Sequence, residues 1–193
     1  MTKWLSHRMD ERGIIKEEEQ ELYQFGIRNG MILLLNVVTA LVIGLLTEQL
    51  AVVAVFTLSF MVLRSYTGGY HSDSRVFCYL GSNLVLLVPV YTQAVFYKTS
   101  LAWLLAVLLV SAGIIFLLSP MHSKNRKLDK EEQKHFGRKA RLIAALELAV
   151  LGILWHAGQI PYAYAVYTGI CITALFMLVG KAQLWIQSHT ENG

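Results

Sequence analysis

Long uncharged stretches alternate with short polar islands along this chain. No Asp, Glu, Lys or Arg lies between Arg28 and Glu48, between Arg75 and Lys98, or between Lys98 and Lys124, and from Leu142 to Gly180 only Glu147 is charged. An apolar run of roughly 18 residues or more is what crossing a hydrocarbon core of about 30 Å requires. The pattern predicts an all-α integral membrane protein of about six transmembrane helices, at 26–46, 49–63, 76–97, 101–118, 142–156 and 162–179. The second is short, with fifteen residues between Glu48 and Arg64, and gains length if Arg64 snorkels to the interface. Pro89 predicts a bend in the third, and the run Ala157-Gly158-Gln159-Ile160-Pro161 a turn before the sixth.

Ahead of the first span, Trp4, Leu5, Met9, Ile14, Ile15, Leu22, Tyr23 and Phe25 recur at roughly helical spacing among charged residues. This reads as an amphipathic segment, 1–25, lying on the membrane surface; a solvated helix packed on the protein is the plainer alternative. No secretory signal is expected, because these residues lack an apolar core segment. The expected organisation is therefore 1–25 as the surface segment, 26–180 as the membrane domain with a basic loop at 119–141, and 181–193 as a polar tail.

Composition sharpens this picture. Charged residues make up 16% of the 193 residues and hydrophobic ones 55%, where a soluble domain carries about 25% charged. The net charge of +4 does not point to nucleic acid, because the basic residues gather at the borders of the spans. With six spans, sixteen of the seventeen Lys and Arg fall on one side and Lys98 alone on the other. The positive-inside rule then puts both termini and the polar island at 64–78 in the cytoplasm of a multi-pass plasma-membrane protein, with lipid head groups as partners. The two cysteines, Cys78 and Cys171, form no spaced framework, so neither a disulfide scaffold nor a zinc site is supported. No metal or other cofactor is expected.

The island reads Arg64-Ser-Tyr-Thr-Gly-Gly-Tyr-His-Ser-Asp-Ser-Arg-Val-Phe-Cys78. A glycine pair, a histidine and a thiol gathered at one polar break are more than folding needs. A thiol attacks only as thiolate, and free Cys has a pKa of about 8.5. His71 beside Cys78 would lower that value and carry a proton to a leaving amine. Seven residues along one helix would part them by about 10 Å, so the chain must bend. Gly68 and Gly69 allow the bend, and Ser72, Asp73 and Ser74 are good N-caps for a span beginning just after them. A re-entrant loop is the other way to bring the pair together. The plainer reading takes Cys78 as an inert small hydrophobe at a span's edge and His71 as a hydrogen-bonding border residue.

The pattern Arg64-x-x-x-Gly68-Gly69-x-His71, with Cys78 seven residues on, resembles the signature of the AgrB family, the accessory gene regulator B membrane endopeptidases of Gram-positive quorum sensing. Chain length, the charged amphipathic start and the several spans are similar too, and the stretch Ser119-Pro-Met-His-Ser-Lys-Asn-Arg-Lys-Leu128 resembles the family's Pro-containing basic loop. Where the family has an acidic residue after the Pro-x pair, this chain has His122. The resemblance implies that Cys78 is the nucleophile and His71 its base. It implies cleavage of a short AgrD-like precursor at the C-terminal side of its signal segment. The acyl-enzyme thioester is then attacked by a precursor Cys or Ser, which releases a thiolactone or lactone ring.

Other positions carry weaker expectations. Arg64 either binds the acidic tail of such a precursor or snorkels to phosphate, and Gly68 and Gly69 offer close backbone approach or a plain hinge. Asp73 either orients His71 or caps a helix, and Arg75 flanks the site. Glu147, within the fifth span, pairs with another polar group or touches substrate. Lys124, Arg126 and Lys127 form the loop's docking surface for an anionic peptide. A homodimer is compatible with all of this. The rival from another class is a small peptide exporter or channel with the island as its gate, which would tolerate loss of Cys78; a non-catalytic anchor for a signalling protein would instead depend on the loop's charge.

Overall fold

The computed structural model describes residues 20–68, 75–121 and 130–190. Among them every regular element is helical: α1 (Gln20–Leu46), α2 (Leu50–Thr67), α3 (Arg75–Tyr91), α4 (Gln93–Lys98), α5 (Leu101–Leu118), α6 (Lys130–His156) and α7 (Ile160–Thr190). The surface segment expected at 1–25 lies almost wholly outside the described residues. The chain divides into two compact units, Met1–Thr39 and Ala40–Gly193, with α1 running through the boundary.

Among the described residues three helices are long and apolar enough to cross a membrane: Leu50–Thr67, Leu101–Leu118 and Ile160–Ile186. Gly30–Leu46 and Tyr79–Tyr91 are shorter apolar stretches. α5 has no polar face, and Leu105, Val107, Leu109, Val110 and Leu117 on it are all exposed. Water would penalise such a surface, whereas lipid tails accept it.

α7 is the axis of the second unit and packs against α2, α5 and α6. A helix apolar on every side belongs inside, and Tyr164, Val166, Ile170, Ala174 and Met177 are all buried. Its buried Thr168 and Thr173 donate to the carbonyls of Tyr164 and Gly169, both at 2.8 Å, so neither of these hydroxyls is stranded in the apolar packing.

Lipid tails are as apolar as leucine, so close approach of small residues, rather than hydrophobicity, brings such helices together. α2 comes close to α7 at Gly169, where a Cβ would stand 2.6 Å from Ser59 Oγ and 3.3 Å from Ser59 Cβ. Ser59 in turn donates to Glu147 Oε2 on α6 at 2.8 Å, which ties three helices at one point. Gly169→Ala is therefore expected to displace Ser59, break that bond and cost about 1–3 kcal/mol. Thermal unfolding in detergent would read it, with Gly152→Ala, whose Cβ meets nothing within 4 Å, as the control that does not melt lower.

Several boundaries differ from those expected. The second span does lengthen, through Arg64 to Thr67. The third is two helices: α3 carries Pro89 inside it, stops at Tyr91, and α4 resumes at Gln93. At the break, Thr92 Oγ1 donates to Val88 O at 2.8 Å and shares a 2.6 Å hydrogen bond with Tyr164 of α7. Proline removes the N–H that would have met Val85 O, while Val88 O accepts both the Thr92 N–H, at 3.0 Å, and the Thr92 hydroxyl. The basic loop is helical from Lys130 onward, continuous with the fifth span in α6. Pro161 sits inside the first turn of α7 rather than in the preceding turn, where its missing N–H has no helical partner to lose. Nor does α7 end near Val179, since it continues through Lys181 into the expected tail.

Candidate active site

The polar island begins at the C-terminus of α2. Arg64 lies in the last turn, half-buried, and its Nη1 donates to Gly68 O at 2.8 Å. Its guanidinium carbon stands 5.0 Å from the centre of the Phe176 ring on α7, a geometry in which the ring face attracts the cation. One side chain thus both caps the backbone of the glycine break and anchors it to the central helix.

Gly68 ends the helix with φ +73° and ψ −152°, a backbone region open essentially to glycine alone. A Cβ there would meet Met121 O at 2.6 Å. Met121 belongs to the short strap Ser119-Pro120-Met121 that follows α5, whose Ser119–Pro120 peptide is cis. The strap is held from both sides. Met121 N–H donates to Thr67 O at 2.9 Å, and a Cβ on Gly137 of α6 would stand 3.0 Å from Pro120 Cδ. The start of the Pro-containing loop therefore docks directly on the Thr67–Gly68 break. α6 closes the third side, with Phe136 6.3 Å from the Tyr66 ring and Lys139 5.8 Å above it. Arg138, Lys139 and Arg141 are exposed there and make this edge basic.

α3 begins at Arg75, which puts the backbone of Cys78 in its first turn, and α3 packs against α2 and α7. The side chains of Arg75 and Cys78 lie outside the described part, as do residues Gly69, His71 and Asp73 and the loop residues Lys124, Arg126 and Lys127. Glu147 sits elsewhere. Its partner Ser59 is eight residues before Thr67, about 12 Å along the helix axis. It therefore belongs with the α2–α6–α7 packing point rather than with the Gly68–Met121 junction. Cys171, on α7, lies beside Ser111 and Tyr167. Among the described residues no three His, Cys, Asp or Glu side chains come together as a metal site would need.

A cavity of about 260 Å³ lies at the far end of α5 and α6, lined by Phe96, Leu101, Leu105, Gly152, Trp155 and Tyr167 among others. Leu101 and Ser119 bracket the full 18-residue length of α5, so this apolar hollow and the strap sit at opposite ends of that helix.

Sequence reasoning had no means of finding three features: the contact of Met121 with Gly68, the seat of Pro120 on Gly137, and the burial of Ser119. Only the Pro-containing loop gave a signal, and that signal said nothing about where the loop lands.

The sequence model of the family described as Accessory gene regulator B matches residues 1–178 of the chain. An accessory gene regulator protein B of Staphylococcus intermedius is 26% identical over 156 residues, covering 79% of this chain and 80% of the relative. Two AgrB-like proteins of Clostridium perfringens are 23% and 24% identical, over 74% and 65% of this chain and 69% and 61% of their own lengths. No solved structure matches the chain. A family match over nearly the whole length, carrying the Arg64, Gly68, Gly69, His71 and Cys78 pattern with it, has one meaning: the chain belongs to the AgrB family.

Proposed function

We propose that this protein is a membrane-embedded cysteine endopeptidase that processes a short AgrD-like precursor into a cyclic signal peptide. The observation that carries the reading is the family match over residues 1–178, which includes the Arg-Gly-Gly-His-Cys island. Six spans with both termini and the island cytoplasmic accord with the charge distribution. The processing role and the AgrD-like partner come with family membership.

His71 takes the proton of the Cys78 thiol, and the thiolate attacks the scissile carbonyl at the C-terminal side of the signal segment. The C–N bond breaks, His71 returns the proton to the leaving amine, and the signal segment stays on Cys78 as a thioester. A Cys or Ser side chain of the precursor then attacks the same carbonyl. Ring closure forms a thiolactone or lactone, the bond to Cys78 sulfur breaks, and the thiol regains a proton. The thioester keeps the acyl group activated, so closure needs no further energy source, provided water is kept out. The glycine break lets backbone come close to the substrate, with Asp73 and Arg75 flanking His71 and Cys78. Lys124, Arg126 and Lys127, with the basic edge of α6, hold the precursor's anionic tail.

Intact-mass spectrometry of the purified protein mixed with an AgrD-type synthetic precursor tests this. The expected result is a mass increase equal to the N-terminal fragment of the precursor, removed by hydroxylamine and absent in Cys78→Ala. A precursor that binds but yields neither adduct nor fragments would sink the reading and favour an exporter.

A further inference from the structure

We infer that the apolar hollow at the Leu101 end of α5 is a phospholipid site, which takes one acyl chain while Lys98 pairs with the lipid phosphate. The site is separate from the proposed peptide chemistry and does not rest on it.

The hollow measures about 260 Å³ and lies wholly within the second unit. One wall is aromatic and fixed. Phe96 is buried, its ring centre 4.8 Å from that of Tyr164, 5.3 Å from Tyr167 and 6.2 Å from Trp155. The other walls are aliphatic, from Leu101, Leu104, Leu105 and Leu108 of α5 and Leu151 of α6. Gly152 keeps the α6 side open, because a Cβ there would meet nothing within 4 Å. Walls of this kind give water too few polar partners, and apolar cavities take apolar guests.

The mouth and the depth say which guest. Leu101, Leu105, Gly152 and Trp155 line the hollow and are also exposed, so it opens through the surface of the bundle. That surface is the apolar face of a membrane-crossing helix, where the neighbour is hydrocarbon. The 18 residues of α5 reach about 27 Å, close to the thickness of a hydrocarbon core. Leu101 therefore stands at one border and Leu108 about 10 Å below it. Tyr97, Trp103 and Trp155, all exposed at this end, suit the head-group level. The hollow thus runs from the head groups into the zone of the tails. A rigid neighbour would forfeit dispersion contacts with such a recess, whereas a flexible chain can follow it.

The rim supplies the partner for the other half of a lipid. Lys98 ends α4, exposed, and lies in the chain between Phe96 and Leu101, which both line the hollow. It is the only Asp, Glu, Lys or Arg between Arg75 and Lys124. Under the proposed topology this is the outer border, where the positive-inside rule disfavours a lysine. No carboxylate in that stretch balances it, but a phosphate diester at the head-group level does.

The test is photo-labelling in nanodiscs of phosphatidylglycerol that carries a diazirine midway along one acyl chain. In the wild-type protein, adducts are expected to concentrate on residues 101–108 and 151–155 over Leu109 and Val110, which are exposed on the same helix outside the hollow. Gly152→Phe, which puts a ring into the hollow, is expected to bring them down to the level at Leu109. Lys98→Gln, at an exposed position, should weaken labelling about fivefold, the effect of one lysine near an anionic surface. Should Gly152→Phe fail to fold, the wild-type map and Lys98→Gln decide. Even labelling along α5, or labelling indifferent to Lys98→Gln, would overturn the inference. So would cross-linked dimers in which a second copy of the chain fills the hollow.

Discussion

Cys78→Ala is expected to lower precursor processing on the order of 10⁴-fold or more, to background, because the acyl group then has no sulfur on which to rest. Cys78→Ser should fare little better. A hydroxyl is much less acidic than a thiol, and a neighbouring histidine tuned to a thiolate does not make an equal alkoxide. The backbone of Cys78 lies in the first turn of α3, where the positive end of the helix dipole favours a thiolate. Precursor affinity should persist in both variants, because the basic edge and the apolar surfaces that hold the peptide are untouched. Chromatographic assay of cleaved tail peptide measures the first effect and a titration the second. Processing by Cys78→Ala above about one per cent of wild type would remove Cys78 as nucleophile, against the roughly 10⁴-fold loss expected.

Gly68→Ala is the second large effect, and it acts through the backbone. The residue holds φ +73° and ψ −152°, and an added methyl would stand 2.6 Å from the carbonyl oxygen of Met121. Strain in that region alone costs about 1–3 kcal/mol. Relief requires the strap to lift, which breaks the 2.9 Å bond from Met121 to Thr67, or the chain leaving Gly68 to turn, which redirects the segment leading to His71. Either way the two sides of the site separate. Processing is expected to drop about 100-fold, as a misplacement near 1 Å can do, with melting several degrees lower. Normal processing by this variant would show that the close packing of strap and glycine is irrelevant to catalysis.

Much of this protein was legible along the chain because membrane insertion is a local sum. Whether some twenty residues can enter lipid depends on those residues alone, so the helical class and the approximate places of α2, α5 and α7 follow from the charge-free runs. The Arg64–Cys78 island announces itself for the same reason, as a polar break between two such runs. Helix ends were less legible. α6 gathers the charged residues from Lys130 into the same helix as an apolar span, and α7 runs past Val179, because helices do not stop at the membrane border when their next turns remain good helix formers.

Which polar break meets which was decided by tertiary structure. Nothing in the sequence says that Met121 lands on Gly68, that Ser59 reaches Glu147 across from Gly169, or that Ser119 is buried. In a soluble protein an apolar stripe would show which helix faces meet. Here lipid and protein are equally apolar, so the faces are chosen by small residues and single hydrogen bonds. By itself the sequence determined what kind of molecule this is and marked the polar island that opens at Arg64. The packing alone decided which other parts of the chain stand beside the Thr67–Gly68 break that begins the island.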